Sequence, residues 1–188
     1  MAADVRQRMV EGAIQLLATQ GLQGASFGNL LELTGAPRGS IYHHFPGGKA
    51  ELVDAAIDLA GARAVAALED ARGEPAVRIA ERFVGLWRRL LEHTGYSVGC
   101  SVLGTVVTAD AEATLDRAAG VFRAWRATLA GLLVAGGVPA GPADRLALLL
   151  IASCEGAVVL SRAERSSEPL DTVGTEVLAR IEAAATAR

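Results

Sequence analysis

Apolar residues recur at helical spacing along almost the whole chain. In the first segment Met9, Ala13 and Leu16 fall on one stripe at intervals of three and four residues, as in an amphipathic helix. We therefore predict a helix from residue 4 to about residue 20, closed by Gly21, since glycine is common just beyond a helix end. No run of strict alternation is long enough to indicate a strand. The pattern predicts an all-α protein.

Glycine and proline divide the rest of the chain into further helices. Ser26 is a suitable N-cap for a short second helix that Gly35 ends, and Pro37 then breaks the chain. The valine-rich segment 98–109 would also suit a strand, but its helical neighbours favour a short buried helix. The third to ninth helices are predicted at 38–44, 49 to about 72, around 83–94, within 98–109, 111–135, 142–164 and 170–185. The total is about nine helices.

The composition is that of a globular protein able to bury a core, because 51% of the 188 residues are hydrophobic and 21% are charged. The N-terminal residues mix charged and apolar types and show no signal-peptide pattern. The longest uncharged run, 127–143, contains Gly136, Gly137 and Pro139, so it is too short and too broken to cross a bilayer. We expect a soluble cytoplasmic protein with no membrane partner.

The charge distribution and the cysteine content limit which functions the chain can have. The net charge is −3, but residues 1–50 carry four basic and three acidic side chains, so the remainder carries −4. A mildly basic N-terminal part on an acidic body permits a local DNA contact. Cys100 and Cys154 lack metal-ligand spacing and are expected to be buried thiols, although a redox pair stays open.

The segment RGSIYHHFPGGK (38–49) suggests three kinds of site. A metal site is disfavoured because His43 and His44 are adjacent and point about 100° apart on a helix. A phosphate loop is disfavoured because Gly48-Lys49 is followed by alanine and no strand precedes it. We therefore expect no metal and no cofactor. An all-α enzyme using the histidines, including His93, is a weak alternative without an acid, base and nucleophile grouping.

A helix-turn-helix fits this segment better. Two short helices joined by the tight turn LTGAPRG have the lengths of that motif, whose second helix enters the major groove. Ile41 and Phe45, four residues apart, are expected to hold this helix on the core while its polar residues face outward. Lys49 opens the next helix, where free backbone N–H groups favour an anion.

Residues 26–52, SFGNLLELTGAPRGSIYHHFPGGKAEL, resemble the DNA-binding signature of the TetR family of transcriptional repressors. The GAPRGSIYHHFPGGK segment, with EGAVVLSRAERSSEPLD later in the chain, resembles the subgroup typified by lincomycin-resistance repressors. The resemblance implies a helix-turn-helix DNA-binding domain at 1–48 and a helical ligand-binding and dimerisation domain at 49–188. It also implies a double-stranded DNA operator, a small-molecule effector and a homodimer. The DNA-binding residues it implies are Ser26, Arg38, Gly39, Ser40, Tyr42, His43, His44 and Lys49.

Aromatic residues in the middle helices predict an effector pocket. Such pockets lie between bundle helices and need apolar walls, although each aromatic taken alone fits a core role better than a pocket role. By resemblance the effector is an apolar or amphiphilic small molecule. The predicted ligand-binding residues are Trp87, Tyr96, Cys100, Phe122 and Trp125.

The last two long helices are the predicted dimer interface. In the eighth, Leu149, Ser153, Gly156, Ala157 and Leu160 lie at helical spacing, although an intramolecular core face would have the same pattern. Two-fold pairing would place two recognition helices in successive major grooves, about 34–36 Å apart, on a near-palindromic operator. The leading hypothesis is a ligand-responsive dimeric repressor. A regulator that senses oxidation through Cys100 or Cys154 is the alternative.

Overall fold

The computed structural model describes residues 2–186, with side chains from Val5 onward. Within this range the chain forms nine α-helices and no strand, which confirms the all-α prediction. Their bounds in chain order are α1 (Ala2–Gly24), α2 (Phe27–Thr34), α3 (Ser40–His44), α4 (Gly48–Glu69), α5 (Ala76–His93), α6 (Ser101–Val106), α7 (Glu112–Ala135), α8 (Ala140–Glu164) and α9 (Glu168–Thr186).

Helix α1 is interrupted at Gly21. This residue leaves helical geometry (φ 68°, ψ −168°), and a short helical stretch then continues to Gly24. The predicted end of regular helix at about residue 20 is therefore correct, but the added turn was not predicted. A positive φ strains residues that carry a Cβ, and a Cβ here would also lie 3.3 Å from the Gly104 carbonyl oxygen.

Several predicted boundaries differ from the structure by two or three residues, including the starts of α1 (Ala2 instead of residue 4) and α9 (Glu168 instead of residue 170). Helix α3 begins at Ser40 instead of residue 38, because the Ser40 N–H donates to the Pro37 carbonyl in a turn. Helix α4 ends at Glu69 instead of residue 72, and turns lead from there to Gly73 with φ 89°. Helix α8 begins at Ala140, so Pro142 lies in its first turn, where a missing N–H costs no helical hydrogen bond.

The chain divides into two compact units. The first comprises the chain through Ala62 together with Cys100–Val121. In it α1 packs against α2 and α6, and Arg117 of α7 forms ion pairs with Asp54 and Asp58 of α4 at 3.2 and 2.6 Å. Its largest fully buried side chains are Met9, Leu17, Leu30, Ile41, Phe45, Leu52 and Ile57.

Helix α6 approaches α1 at backbone distance. A Cβ on Gly104 would lie 2.5 Å from the Leu17 carbonyl oxygen. The Thr108 hydroxyl donates to the Gly104 carbonyl at 2.9 Å and accepts from the Leu22 N–H at 3.1 Å. The segment 98–109 is thus a short helix, as predicted, and it is joined to the interrupted end of α1.

The second unit comprises Arg63–Gly99 together with the chain from Phe122 onward. Helix α8 packs against α9 and α5, and α5 packs against α9, with an ion pair between Arg88 of α5 and Asp171 of α9. Its largest fully buried side chains are Ile79, Leu91, Leu129, Leu132 and Leu133. This unit buries the apolar faces of four long helices, α5, α7, α8 and α9.

Helices α7 and α8 are long and apolar enough to cross a bilayer by length and composition, with mean hydropathy of 1.2 and 1.8. Core helices of soluble proteins have the same composition. Both helices supply fully or nearly fully buried residues, including Leu129 and Ile151. The chain also breaks between them, since α7 ends at Ala135 and α8 begins at Ala140, which confirms the predicted interruption of the uncharged run.

Candidate nucleic-acid interface

Helices α2 and α3 form a helix-turn-helix in which Gly35 ends the first helix. Gly35 lies in the left-handed region (φ 62°, ψ 17°), and its N–H donates to the Leu31 carbonyl 2.9 Å away. Glycine is favoured there because it has no Cβ. At the other end of α2, the Ser26 hydroxyl accepts a hydrogen bond from the Asn29 N–H at 3.1 Å. The predicted N-cap and C-terminal glycine are both confirmed.

Helix α3 has one buried face and one exposed face. Ile41 and Phe45 are 1% and 0% exposed, which confirms that they hold the helix on the core. Tyr42 is 69% exposed, and His43 is exposed beside it. A helix of five residues cannot be stable alone, so its orientation is set by these two buried anchors and by neighbouring helices.

The aromatic side chains of α3 contact their neighbours edge to face. The Tyr42 ring lies 6.1 Å from the ring of Phe27 at an angle of 73°, so the first residue of α2 supports it. The rings of His43 and His44 are 5.0 Å apart. Among the described residues, no group of three His, Cys, Asp or Glu side chains is placed to hold a metal ion.

The eight predicted DNA-binding residues fall into two groups. Arg38, Gly39, Tyr42 and His43 are exposed, and the other four are half-buried. Two of the half-buried residues use their hydroxyls within the chain: Ser26 caps α2, and the Ser40 hydroxyl donates to the Pro37 carbonyl. That these eight residues contact DNA stays a prediction.

Lys49 makes a contact that the sequence did not indicate. It lies in the first turn of α4, and its Nζ donates to the Leu22 carbonyl of α1 at 2.7 Å. The ammonium group has three donors, so this bond leaves donors for a phosphate. Since the partner lies 27 residues away in sequence, no local pattern could have predicted it.

Arg6 was not predicted to belong to this region. It lies on α1, and its guanidinium carbon is 5.1 Å from the centroid of the Phe45 ring, within the range of a cation–π interaction. The sequence offered only one signal, an arginine in a mildly basic N-terminal part.

Three of the five predicted effector-binding residues belong to two aromatic pairs, each within one helix; the fourth member of these pairs, Phe83, was not predicted. On α5 the ring of Trp87 lies 6.4 Å from that of Phe83 at 84°. On α7 the rings of Phe122 and Trp125 are 5.3 Å apart at 85°. Trp125 is 4% exposed, and Trp87 and Phe122 are half-buried. These pairs place large apolar side chains in the second unit, and their role in binding a ligand stays a prediction.

The remaining two predicted residues lie near the start of α6. Tyr96 is half-buried in the segment before this helix, with φ 63°. Cys100 is the N-cap of α6, and its Sγ accepts from the Leu103 N–H at 3.4 Å. The Cys100 side chain therefore has a structural role that the sequence did not indicate.

Both cysteines are free and buried, as expected. Burial, together with the negative charge of neighbouring Glu155, raises the pKa of the Cys154 thiol from 9.0 to about 12. The thiolate is the form that reacts with oxidants, so Cys154 is protected at neutral pH.

Helix α8 exposes an apolar row. Leu148, Val159 and Leu160 are 50%, 50% and 52% exposed, and Ala152 and Gly156 are exposed between them. Of the five residues in the stripe predicted from sequence, Gly156 and Leu160 are exposed, and Leu149 and Ser153 are half-buried. Ala157 is 2% exposed and faces the interior of the second unit. That this stripe forms a dimer interface stays a prediction.

Two family models match the chain. Residues 9–56 match the model of bacterial regulatory proteins of the tetR family. Residues 75–176 match the C-terminal domain of LmrA/YxaF-like transcriptional regulators. The chain belongs to the TetR family.

Relatives over nearly the full length support the same assignment. The TetR-family chain is 34% identical over 175 residues to the HTH-type transcriptional regulator Rv0196 of Mycobacterium tuberculosis, covering 89% of each protein. It is 30% identical over 188 residues to the HTH-type transcriptional repressor DhaR of Mycobacterium sp. (strain GP1), covering 92% of this chain and 90% of DhaR. A TetR transcriptional regulator from Chloroflexus aurantiacus J-10-FL has the same fold, with 30% identity, a TM-score of 0.79 and coverage of 96% of both chains. This chain is therefore a DNA-binding transcriptional regulator.

Proposed function

We propose that the protein is a dimeric repressor released from a near-palindromic operator by a small apolar or amphiphilic molecule. The main observation in support is α3, which presents Tyr42 and His43 to solvent while Ile41 and Phe45 anchor it. In this proposal residues 1–48 bind the DNA, and residues 49–188 bind the effector and a second copy. The name of DhaR, a transcriptional repressor, favours repression over activation.

The eight predicted residues would contact different parts of the operator. Arg38 and Ser40, at the start of α3, would lie nearest the base edges, and Gly39 would allow close backbone approach. Three residues would bind mainly phosphate by donating hydrogen bonds: Tyr42, His44 and Lys49. Such contacts fix the position of a protein on the DNA backbone. His43 would face the groove. Phosphate contacts of this kind make the affinity strongly dependent on salt.

The exposed apolar row on α8 supports a homodimer through α8 and α9. Large apolar side chains in a contiguous exposed row mark a surface that is covered by a partner. A two-fold axis would place the same row of a second copy against Leu148, Val159 and Leu160. The pair would then carry two α3 helices for two half-sites.

An apolar or amphiphilic effector fits the aromatic pairs of α5 and α7. Release of DNA would follow if the effector favours a dimer whose DNA-binding domains have the wrong spacing. Linkage then requires that DNA and effector weaken each other's binding by the same factor. As a regulator of this kind, the protein would act in the cytoplasm and catalyse no reaction.

The test begins with selection of bound fragments from random DNA, which gives both the operator sequence and the half-site spacing. Fluorescence anisotropy on the selected duplex then measures affinity at several salt concentrations, with and without candidate apolar compounds. A near-palindrome with salt-dependent affinity is expected. Enrichment of no sequence would contradict the DNA-binding role, and an affinity that no compound lowers would contradict induction by ligand.

The oxidation hypothesis has less support. Cys154 is buried with a raised pKa, and Cys100 is buried with its sulfur in the N-cap of α6. Replacing each cysteine with serine tests this hypothesis directly. A variant that no longer releases the selected DNA under oxidant, when the natural protein does, would favour oxidation sensing over ligand sensing.

A further inference from the structure

The guanidinium group of Arg6 rests against the aromatic residue that ends the recognition helix. Arg6 is exposed on α1, whereas Phe45 is 0% exposed and immediately follows α3. The distance from the guanidinium carbon to the ring centroid is 5.1 Å. An α1 side chain is thereby held beside the carboxyl end of α3, although the two residues are far apart in sequence.

The charge of Arg6 is not neutralised by any carboxylate among the described side chains, so it is available to a phosphate. No carboxylate among the described side chains forms an ion pair with it, whereas Arg72, Arg78, Arg82, Arg88 and Arg117 all have such partners. A planar guanidinium on an aromatic ring keeps its N–H groups directed outward, where they can bind a phosphate through two hydrogen bonds. The contact with Phe45 also restricts the side chain before DNA is bound.

The dimensions of the groove bring a phosphate strand close to this position. Helix α3 has five residues, so it is about 7.5 Å long. The major groove is about 12 Å wide, so a helix of this length that lies across the groove would have a phosphate strand near each end. Arg6 stands at the carboxyl end, on the side away from the base-reading residues Arg38 and Ser40.

We propose that Arg6 is a further DNA-binding residue, which contacts a backbone phosphate beside the carboxyl end of α3. This inference rests on the proposed insertion of α3 into the major groove. A contact of this kind carries no base information, so it contributes equally to all sequences. Arg6 would fix how α1 lies across the DNA backbone while α3 reads the bases.

The test compares three full-length variants on the duplex selected from random DNA and on an unrelated duplex. Arg6→Gln removes the charge, Arg6→Lys keeps the charge but loses the planar group, and Arg8→Gln is the matched control. Arg8 lies on the same helix, about 200° around from Arg6, and its replacement changes the net charge by the same amount. Circular dichroism verifies that each variant is folded.

For Arg6→Gln we expect a loss of affinity on the order of tenfold for each subunit, similar on both duplexes. The slope of log affinity against log salt should become shallower by about 0.9 for each lost contact, or roughly 2 for a dimer. The slope for Arg6→Lys should be only slightly shallower than that of the natural protein, and the slope for Arg8→Gln should be nearly unchanged. A purely structural role for Arg6 would not change the slope.

Two outcomes would overturn the inference while leaving the proposed function intact. One is a wild-type slope and affinity for Arg6→Gln. The other is an equal change for Arg6→Gln and Arg8→Gln, which would indicate a general effect of net charge. Failure of the natural protein to bind either duplex is a different result, and it would overturn the proposed function itself.

Discussion

Helices α3 and α8 both expose side chains that need a partner, but they hold those side chains in different ways. Helix α3 has five residues and depends on its buried anchors and on contacts from α1 and α2. Helix α8 has 25 residues, and its exposed row is one face of a helix that its own hydrogen bonds and its buried face maintain. The polar surface of α3 is therefore sensitive to distant substitutions, whereas the apolar surface of α8 is sensitive mainly to substitutions on that surface.

The largest expected effect comes from placing a charge on the α8 surface. Leu160→Arg should weaken the dimer by on the order of a hundredfold or more, because an unpaired charge would be buried against the partner. The subunit should stay folded, since Leu160 is 52% exposed in a single chain. Sedimentation velocity measures the oligomeric state. Val134→Arg, at a 44% exposed position on α7, is the control that should stay dimeric.

The start of α4, which follows α3 in the chain, should respond to a single substitution. Lys49→Met removes the hydrogen bond to the Leu22 carbonyl and should lower the free energy of unfolding by roughly 1–2 kcal/mol. Lys49→Arg keeps a charged donor and should lower it less. Urea denaturation measures both variants. Equal stability of Lys49→Met and the natural protein would show that this contact does not support the start of α4.

A smaller effect is expected from the exposed face of α3 itself. Tyr42→Phe keeps the ring contact with Phe27 but removes the hydroxyl proposed to bind phosphate. The loss of binding free energy should be about 0.5–1.5 kcal/mol for each subunit, measured by anisotropy on the selected duplex. The chain has one other tyrosine, so Tyr96→Phe is the matched control. A Tyr42→Phe variant with unchanged affinity would remove Tyr42 from the interface.

The last effect concerns the buried face of α8 and is confined to alkaline pH. The pKa of Cys154 is 9.0 when exposed and about 12 when folded, so the folded state keeps the thiol proton to higher pH than the unfolded state. Its contribution to stability is therefore complete below pH 9 and declines as pH rises from 9 towards 12. Urea midpoints between pH 8 and pH 11 should fall more for the natural protein than for Cys154→Ser. If the urea midpoints of the two proteins fell equally with pH, the raised pKa of Cys154 would be contradicted.

The helices and the helix-turn-helix could be predicted because their signals are local. Apolar spacing, the Ser26 cap and Gly35 together specify α2 and its end, and each acts over a few residues. The exposed row on α8 was only partly predicted, because spacing alone does not show that Ala157 faces the interior. The contacts of Lys49 with Leu22 and of Arg6 with Phe45 could not be predicted. They join residues that only the tertiary fold brings together.

The contact between Lys49 and Leu22 involves a side chain that can be labelled selectively. Lys49 is the only lysine of the chain, so the protein has a single side-chain amine, and that amine sits where α1 meets α4. An amine-selective reagent would label one side chain at this junction. The rate of labelling of this side chain, measured separately from that of the α-amino group, would then report on the junction without a cysteine having to be engineered.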